Sequence, residues 1–271
     1  MKSVSPIRVT VLTTVYNGEK YLQETIESVL NQSLGEFKYI IIDDGSTDRT
    51  KEILAKIHDD RVEILTLTHG GRGVALNSGI EKCNTEFIAI LDADDVADKN
   101  RLACQLKVFD DNNDIDVVAG YFTLKISDLS SNKELQGDNQ YSIIDYKQFI
   151  KHNAICHSSA MIKVNSLTTI GAYNASRTEL FDYDLWLRIM GNGGVFVKIK
   201  KILVFKRIHD EQSFEKRKRI KYLLSATKCK YRAILIASNN PIDYILPILT
   251  FIYGLLPRRI REFHMEAFGR S

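Results

Sequence analysis

Cysteine is sparse. Cys83, Cys104, Cys156 and Cys229 are the only four in 271 residues, and none stands at the spacing of a zinc or redox pair. A disulfide-stapled miniprotein is therefore excluded, and reduced, isolated thiols in a cytosolic protein are expected. No window reaches about 18 uninterrupted apolar residues, so a simple membrane span is not expected. Met1-Lys2-Ser3-Val4-Ser5-Pro6 leads straight into a strand-like run, without the apolar stretch of a signal peptide. Neither a Walker lysine pattern nor a dinucleotide glycine fingerprint occurs, which argues against NTPases and dehydrogenases. With 44% hydrophobic and 26% charged residues, what remains is an ordinary globular chain, neither disordered nor collagen-like.

The net charge of +3 conceals an asymmetry. Lys198–Arg232 carries 13 basic and 3 acidic side chains, the residues after Arg232 add +1, and the 197 residues before Lys198 carry −8. An acidic body joined to a basic C-terminal third implies two surfaces with different partners.

From Ile7 onward short strands alternate with helices. Ile7–Thr14, Phe37–Ile42, Val62–Leu67 and Phe87–Leu91 are apolar runs of the kind buried on both faces of a parallel sheet. Between them, Tyr21, Leu22, Thr25, Ile26, Val29 and Leu30 recur at helical spacing. Ser46 or Thr47 is expected to start a second helix striped by Ile53, Leu54 and Ile57, and Gly73–Lys82 makes a third. This cadence predicts an α/β fold with a mostly parallel sheet flanked by helices. In such sheets ligands bind beyond the carboxyl ends of the strands. Those ends carry Thr14-Val15-Tyr16-Asn17, Asp43-Asp44 and Asp92-Ala93-Asp94-Asp95, so polar residues gather along one rim. Further strands are predicted at Asp116–Tyr121, His157–Ile162, Val195–Ile199 and Val204–His209, a polar loop or hairpin at Ser127–Tyr141, and a helix at Asp182–Met190.

Three carboxylates within residues 92–95 repel one another unless a cation sits among them, and Mg2+ or Mn2+ held with substrate phosphates is the usual resolution. Taken alone, the run reads equally as a turn with an Asx cap before a helix near Asn100. In Asp43-Asp44-Gly45-Ser46-Thr47-Asp48, turn and cap chemistry accounts for Gly45 and Ser46 but leaves two adjacent acids, one of which suits a nucleobase N–H. Gly70-Gly71-Arg72-Gly73 is either a flexible loop or a place where backbone approaches a ligand, with Arg72 meeting a phosphate or stacking on a base. His157 beside Ser158 and Ser159 lacks the glycines of a nucleophile elbow, which leaves it behind the site or in an acceptor cleft.

Residues 13–32 (TTVYNGEKYLQETIESVLNQ), 40–50 (IIIDDGSTDRT) and 88–97 (IAILDADDVA), in this order, resemble glycosyltransferase family 2. The resemblance continues through Phe181-Asp182-Tyr183-Asp184-Leu185-Trp186-Leu187-Arg188 and Arg207-Ile208-His209, and covers roughly residues 7–213. It implies a GT-A fold and inverting transfer from a nucleotide sugar with a divalent metal. Carried over position by position, Thr14, Tyr16 and Asp44 would cradle the nucleobase with Arg72 nearby. Asp92 would contact ribose or the donor, Asp94 would hold the metal, Asp182 would be the catalytic base, and His209 would complete the metal or diphosphate site. Where the family often has Glu-Asp, this chain has Phe181-Asp182, so a neighbour that positions the acceptor is replaced. On the residues alone, Asp182 also reads as a cap of the helix carrying Trp186, and Asp184 is a rival base. His157, Asp184 and Trp186 are the acceptor-side candidates.

The sequence divides into a domain over 1–210, with a nucleotide-sugar half to about 120 and an acceptor half after it, and a basic amphipathic helical region over 211–271. Ile242–Leu256 is apolar but holds Asp243 and Pro247, and Arg258, Arg259 and Arg261 follow. That pattern suits a helix lying in the interface of an anionic membrane, or one packed on the body. Nucleic acid is not an expected partner, because the basic run lacks interleaved aromatic platforms. The expected protein is a metal-dependent hexosyltransferase at the inner face of the cell membrane. It would move a hexose or N-acetylhexosamine from a UDP-linked (or dTDP-linked) donor to a lipid-linked saccharide in surface polysaccharide or O-antigen synthesis. A metal-dependent nucleotidyltransferase and a non-catalytic sugar-nucleotide-binding subunit are the rival readings.

Overall fold

The computed structural model describes residues 7–130, 140–208 and 219–257. Residues 7–144 with 155–208 form one compact unit, and residues 145–154 with 219–257 a second. The segment 145–154, from the middle of the expected first domain, thus belongs with the C-terminal helices.

The first unit opens with β1 (Val9–Val15), α1 (Leu22–Leu30), β2 (Lys38–Asp43), α2 (Thr50–Leu54), β3 (Val62–Thr66), α3 (Arg72–Lys82) and β4 (Phe87–Ile90). β1 pairs in parallel with β2 and β4, and β2 with β3. Side chains alternate between the two faces: Val9, Val11, Tyr39 and Ile41 pack with Leu22, Ile26 and Val29 of α1 and Leu54 of α2. Leu12 and Ile42 point to the other face, where a Cβ on Gly79 of α3 would approach them to 3.2 and 2.9 Å. Only glycine lets that helix lie so close.

The remaining elements are β5 (Val96–Ala97), α4 (Arg101–Asp111), β6 (Val117–Thr123), α5 (Ser127–Ser130), β7 (Tyr141–Ile143), β8 (Met161–Lys163), α7 (Val164–Thr169), α8 (Phe181–Gly191) and β9 (Phe196–Phe205), with α6 (Tyr146–Lys151) falling in the second unit. The sheet runs β3-β2-β1-β4-β8-β6-β9-β5, with β7 also on β9. It is parallel as far as β4, antiparallel where β8 enters between β4 and β6, and parallel again between β6 and β9. Buried side chains of α4 close this change of direction. Arg101 donates to the carbonyls of Ile90 and Ala160 at 2.8 and 3.1 Å, and Gln105 to those of Val118 and Ser159 at 2.7 and 2.9 Å.

The loop or hairpin expected at Ser127–Tyr141 begins as α5, and its residues 131–139 lie outside the described residues. Three further local expectations change. The strands expected at Val195–Ile199 and Val204–His209 are one strand, β9; its register against β6 jumps from Ile199 to Ile202, and the Lys200 N–H between them donates to the Gln140 carbonyl at 3.0 Å. The expected strand His157–Ile162 begins as a 3-10 turn over His157–Ser159, and pairing starts only at Met161. The second helix starts at Thr50 rather than near Ser46, because the Ser46 hydroxyl is already spent on the backbone N–H of Asn17.

The second unit holds α6, α9 (Arg219–Ala237) and α10 (Ile245–Leu255), with a 3-10 turn at Pro241–Tyr244. Lys230 Nζ donates to Thr250 Oγ1 at 2.8 Å, and the Arg219 guanidinium donates to the carbonyls of Gly254 and Leu256, so α9 and α10 form a hairpin.

Candidate active site

Parallel pairing in register, Val15 opposite Asp43 and Asp43 opposite Thr66, brings the ends of β1, β2 and β3 to one edge of the sheet. Two loops are locked together there. Asn17, in a left-handed conformation at φ 55°, accepts from the Thr47 N–H at 2.8 Å, while its own N–H donates to Ser46 Oγ at 2.9 Å. The N–H of Gly18 donates to Thr50 Oγ1 at 2.8 Å. The buried Asp44 carboxylate accepts from the N–H groups of Gly70 and Gly71 at 2.8 and 3.0 Å, which draws the glycine loop onto the rim. His69 completes the corner: its ring stacks on Tyr16 with centroids 4.1 Å apart, and its Nδ1 lies 2.9 Å from Asp44 Oδ2. Tyr16 is half exposed, and Thr14 is partly exposed on β1 beside it.

Asp92, Asp94 and Asp95 follow β4, with a carboxylate oxygen of each within 4.8 Å of the others. Asp95 is fully buried, and among the described residues its Oδ2 has no hydrogen-bond partner. Burial, and then the charges of Asp92 and Asp94, push its carboxyl up to about 7. An orphaned buried oxygen and three mutually repelling acids are what an oxygen-ligated divalent cation relieves, so these residues fit a metal. Arg207, just past the end of β9, reaches the same cluster: its N–H donates to Asp95 Oδ1 at 3.0 Å and its Nε to the Asp94 carbonyl at 3.2 Å. His209 lies outside the described residues.

Burial would raise the Asp92 carboxyl, but Arg72 and His157 outweigh it and hold it well below the usual carboxylate range. Arg72, the first residue of α3, donates to Asp92 and rests 4.9 Å from the ring centroid of Phe181. Burial opposes its charge, yet Asp92, Asp182 and Asp94 together raise its pKa. Behind Asp92 lies His157, with Nδ1 3.5 Å from Asp92 Oδ1, Nε2 2.8 Å from the Tyr173 hydroxyl, and the Phe181 ring edge-on at 5.2 Å. Asp182 is the second residue of α8, partly exposed, and its Oδ1 accepts from the N–H of Tyr183 at 2.8 Å.

The structure thus gathers the predicted residues into two sets: Thr14, Tyr16 and Asp44 at one corner, and Arg72, Asp92, Asp94, His157 and Phe181, close to Asp182, beside it. Two acceptor-side candidates lie inside the body instead. Trp186 is fully buried against Phe196 and His157, and Asp184 is buried between Arg177 and Arg188 at 3.3 and 2.9 Å. Both follow from the packing of α8, which buries every residue from Tyr183 to Leu187 rather than one face alone. His69, Tyr173 and Lys206 carried no motif signal. Burial opposes the charge of Lys206, but Cys156 first and then Asp92, Asp95 and Asp182 raise its pKa.

The sequence signature described as "Glycosyl transferase family 2" matches residues 10–171. A protein named "Uncharacterized glycosyltransferase" from Methanocaldococcus jannaschii is 30% identical over 214 residues, 77% of this chain and 73% of that protein. The UDP-Gal:alpha-D-GlcNAc-diphosphoundecaprenol beta-1,3-galactosyltransferase of Escherichia coli is 27% identical over 264 residues, 93% of each chain. Among solved structures, the mannosyltransferase of Pyrobaculum calidifontis in complex with GDP-Man and Mn2+ matches with a TM-score of 0.69, covering 99% of this chain and 77% of that one. Its identity is 17%, so the likeness carries the fold alone.

Proposed function

The chain belongs to glycosyltransferase family 2 and has the GT-A fold, and from that premise we propose that it is an inverting, metal-dependent hexosyltransferase. Its donor is a UDP-linked sugar and its acceptor a lipid-linked saccharide, as in the name of the Escherichia coli relative. It works at the inner face of the cell membrane, in surface polysaccharide synthesis. The observation that supports this best is the acid cluster at the rim, tied by Arg72 to the start of the helix that carries Asp182.

In this reading Tyr16, Thr14 and Asp44 hold the nucleobase, and Asp92 orients the donor. Asp94, with His209, would hold Mn2+ or Mg2+, which when bound offsets charge on the departing nucleoside diphosphate as a Lewis acid. Arg72 adds a fixed positive charge at the same place. Asp182 accepts the proton of the acceptor hydroxyl while that oxygen bonds to the anomeric carbon. The bond to the diphosphate oxygen breaks on the opposite side, and its electron pair leaves with the nucleoside diphosphate. One displacement inverts the anomeric centre and needs no enzymic nucleophile.

Binding calorimetry with UDP, dTDP, GDP and CMP, each with and without Mn2+, tests the donor site. Mn2+-dependent binding of one nucleoside diphosphate is expected. A folded protein that binds none of them would end the reading, and release of diphosphate from a nucleoside triphosphate would replace it with a nucleotidyltransferase.

A further inference from the structure

α10 contains no charged residue, yet much of it faces outward. Pro247 and Gly254 form its buried side, and a Cβ on Gly254 would collide with Leu223 of α9 at 2.4 Å. On the other side Ile245, Ile248, Leu249, Ile252 and Leu255 recur at intervals of three, one, three and three, the spacing of a single helix face, and each is about half exposed. Ile242, in the turn before the helix, extends the stripe at 68% exposure. Five consecutive aliphatic side chains on one face, with no polar interruption, form a contiguous patch rather than scattered surface residues.

We propose that this face of α10 is a membrane-docking surface that lies in the interface of an anionic bilayer. Its length argues for that orientation: eleven residues span roughly 16 Å as a helix, about half a hydrocarbon core, and no described helix is long and apolar enough to cross a membrane. The flanking charge selects the partner. Arg258, Arg259 and Arg261 follow the helix directly in sequence. An apolar helix followed at once by cations in the sequence complements acyl chains beneath anionic headgroups. A second copy of the chain would instead bring these like charges together. The inference deepens the proposed membrane location and lipid-linked acceptor, but its test reads no transfer, so the two fail separately.

The test is co-sedimentation of the full chain with vesicles of phosphatidylcholine alone and of phosphatidylcholine with phosphatidylglycerol, compared with an Ile248→Asp/Leu249→Asp variant. The wild type is expected to pellet with the anionic vesicles and to be released by high salt. The variant should lose partitioning roughly tenfold or more, with unchanged far-UV circular dichroism and nucleotide binding. Ile252→Ser, milder at a half-exposed position, should give an intermediate loss if the double variant does not fold. Equal pelleting of all three, or none by the wild type, overturns the proposal. So does a wild-type dimer in analytical ultracentrifugation that the variant makes monomeric, since the face would then be a protein interface.

Discussion

The backbone N–H of Arg207 donates to Oδ1 of Asp95 at 3.0 Å, joining two residues 112 positions apart. Its guanidinium also donates to the Asp94 carbonyl and to the Glu24 carboxylate, so the Arg-x-His run is anchored on the acid cluster two residues before His209. Through this tether the end of β9 is part of the candidate metal site.

Replacing Asp94 by alanine should abolish the Mn2+ dependence of nucleotide binding. His209→Ala should weaken it by a smaller factor, roughly 10–100-fold, as for a group that completes or supports the ligand set. Calorimetry at varied Mn2+ separates the two, and an unchanged Mn2+ response in the Asp94 variant would move the ligand elsewhere.

Asp182→Asn keeps the shape and removes the proton acceptor. Turnover should fall by roughly 10²–10⁴-fold, the range for a general base, while nucleotide affinity stays within a factor of about two. A variant that turns over at the wild-type rate would remove Asp182 from the mechanism.

Gly45 sits at φ +76°, and a Cβ there would meet the His69 backbone nitrogen at 2.8 Å. Gly45→Ala should therefore cost on the order of 1–3 kcal/mol and lower Tm by roughly 2–12 °C. Because His69 carries the Tyr16 and Asp44 contacts, nucleotide binding should weaken as well. Scanning calorimetry with a nucleotide titration reads both, and a variant as stable as wild type would mean the loop gives way freely.

Hydrogen bonds from Arg61 hold the Asp59 carboxyl down to about 2, against an ordinary 3.8. A depressed carboxyl stabilises the fold above its unfolded pKa, and that contribution is lost as pH falls through the folded one. The stability gap between wild type and Asp59→Asn should thus be constant near neutrality and close between about pH 4 and 2. Urea unfolding across that range measures it; a gap that widens on acidification would reverse the sign.

The rim formed by the ends of β1, β2 and β4 was legible because its signals are local. Buried strands announce themselves as apolar runs, and parallel strands place their ends on one rim, so Tyr16, Asp44 and Asp92 could be grouped before any coordinates. The far side was less so. β5 and β7 have two and three residues, too few for a period, and three lysines within β9 imitate a break in the strand. Asp184 and Trp186 look like site residues by proximity to Asp182, and only the packing around α8, which buries every residue from Tyr183 to Leu187, shows that they lie in the core. Arg101 and Gln105 are polar residues inside a helix, and no pattern marks them as the clamps over β4, β8 and β6. His69 gains its place from Tyr16, 53 residues earlier in the chain.

The tether from Arg207 to Asp95 also sets an order of assembly. On the ribosome Asp95 emerges 112 residues before its partner, an interval of roughly 6–22 s at 5–20 residues per second. During that time the rim from β1 to β4 can pair, but Asp95 lacks the Arg207 N–H that it accepts from in the finished fold. The nascent domain therefore cannot close this corner until the last strand is made. Translation pausing just before β9 would leave the acid cluster without that tether.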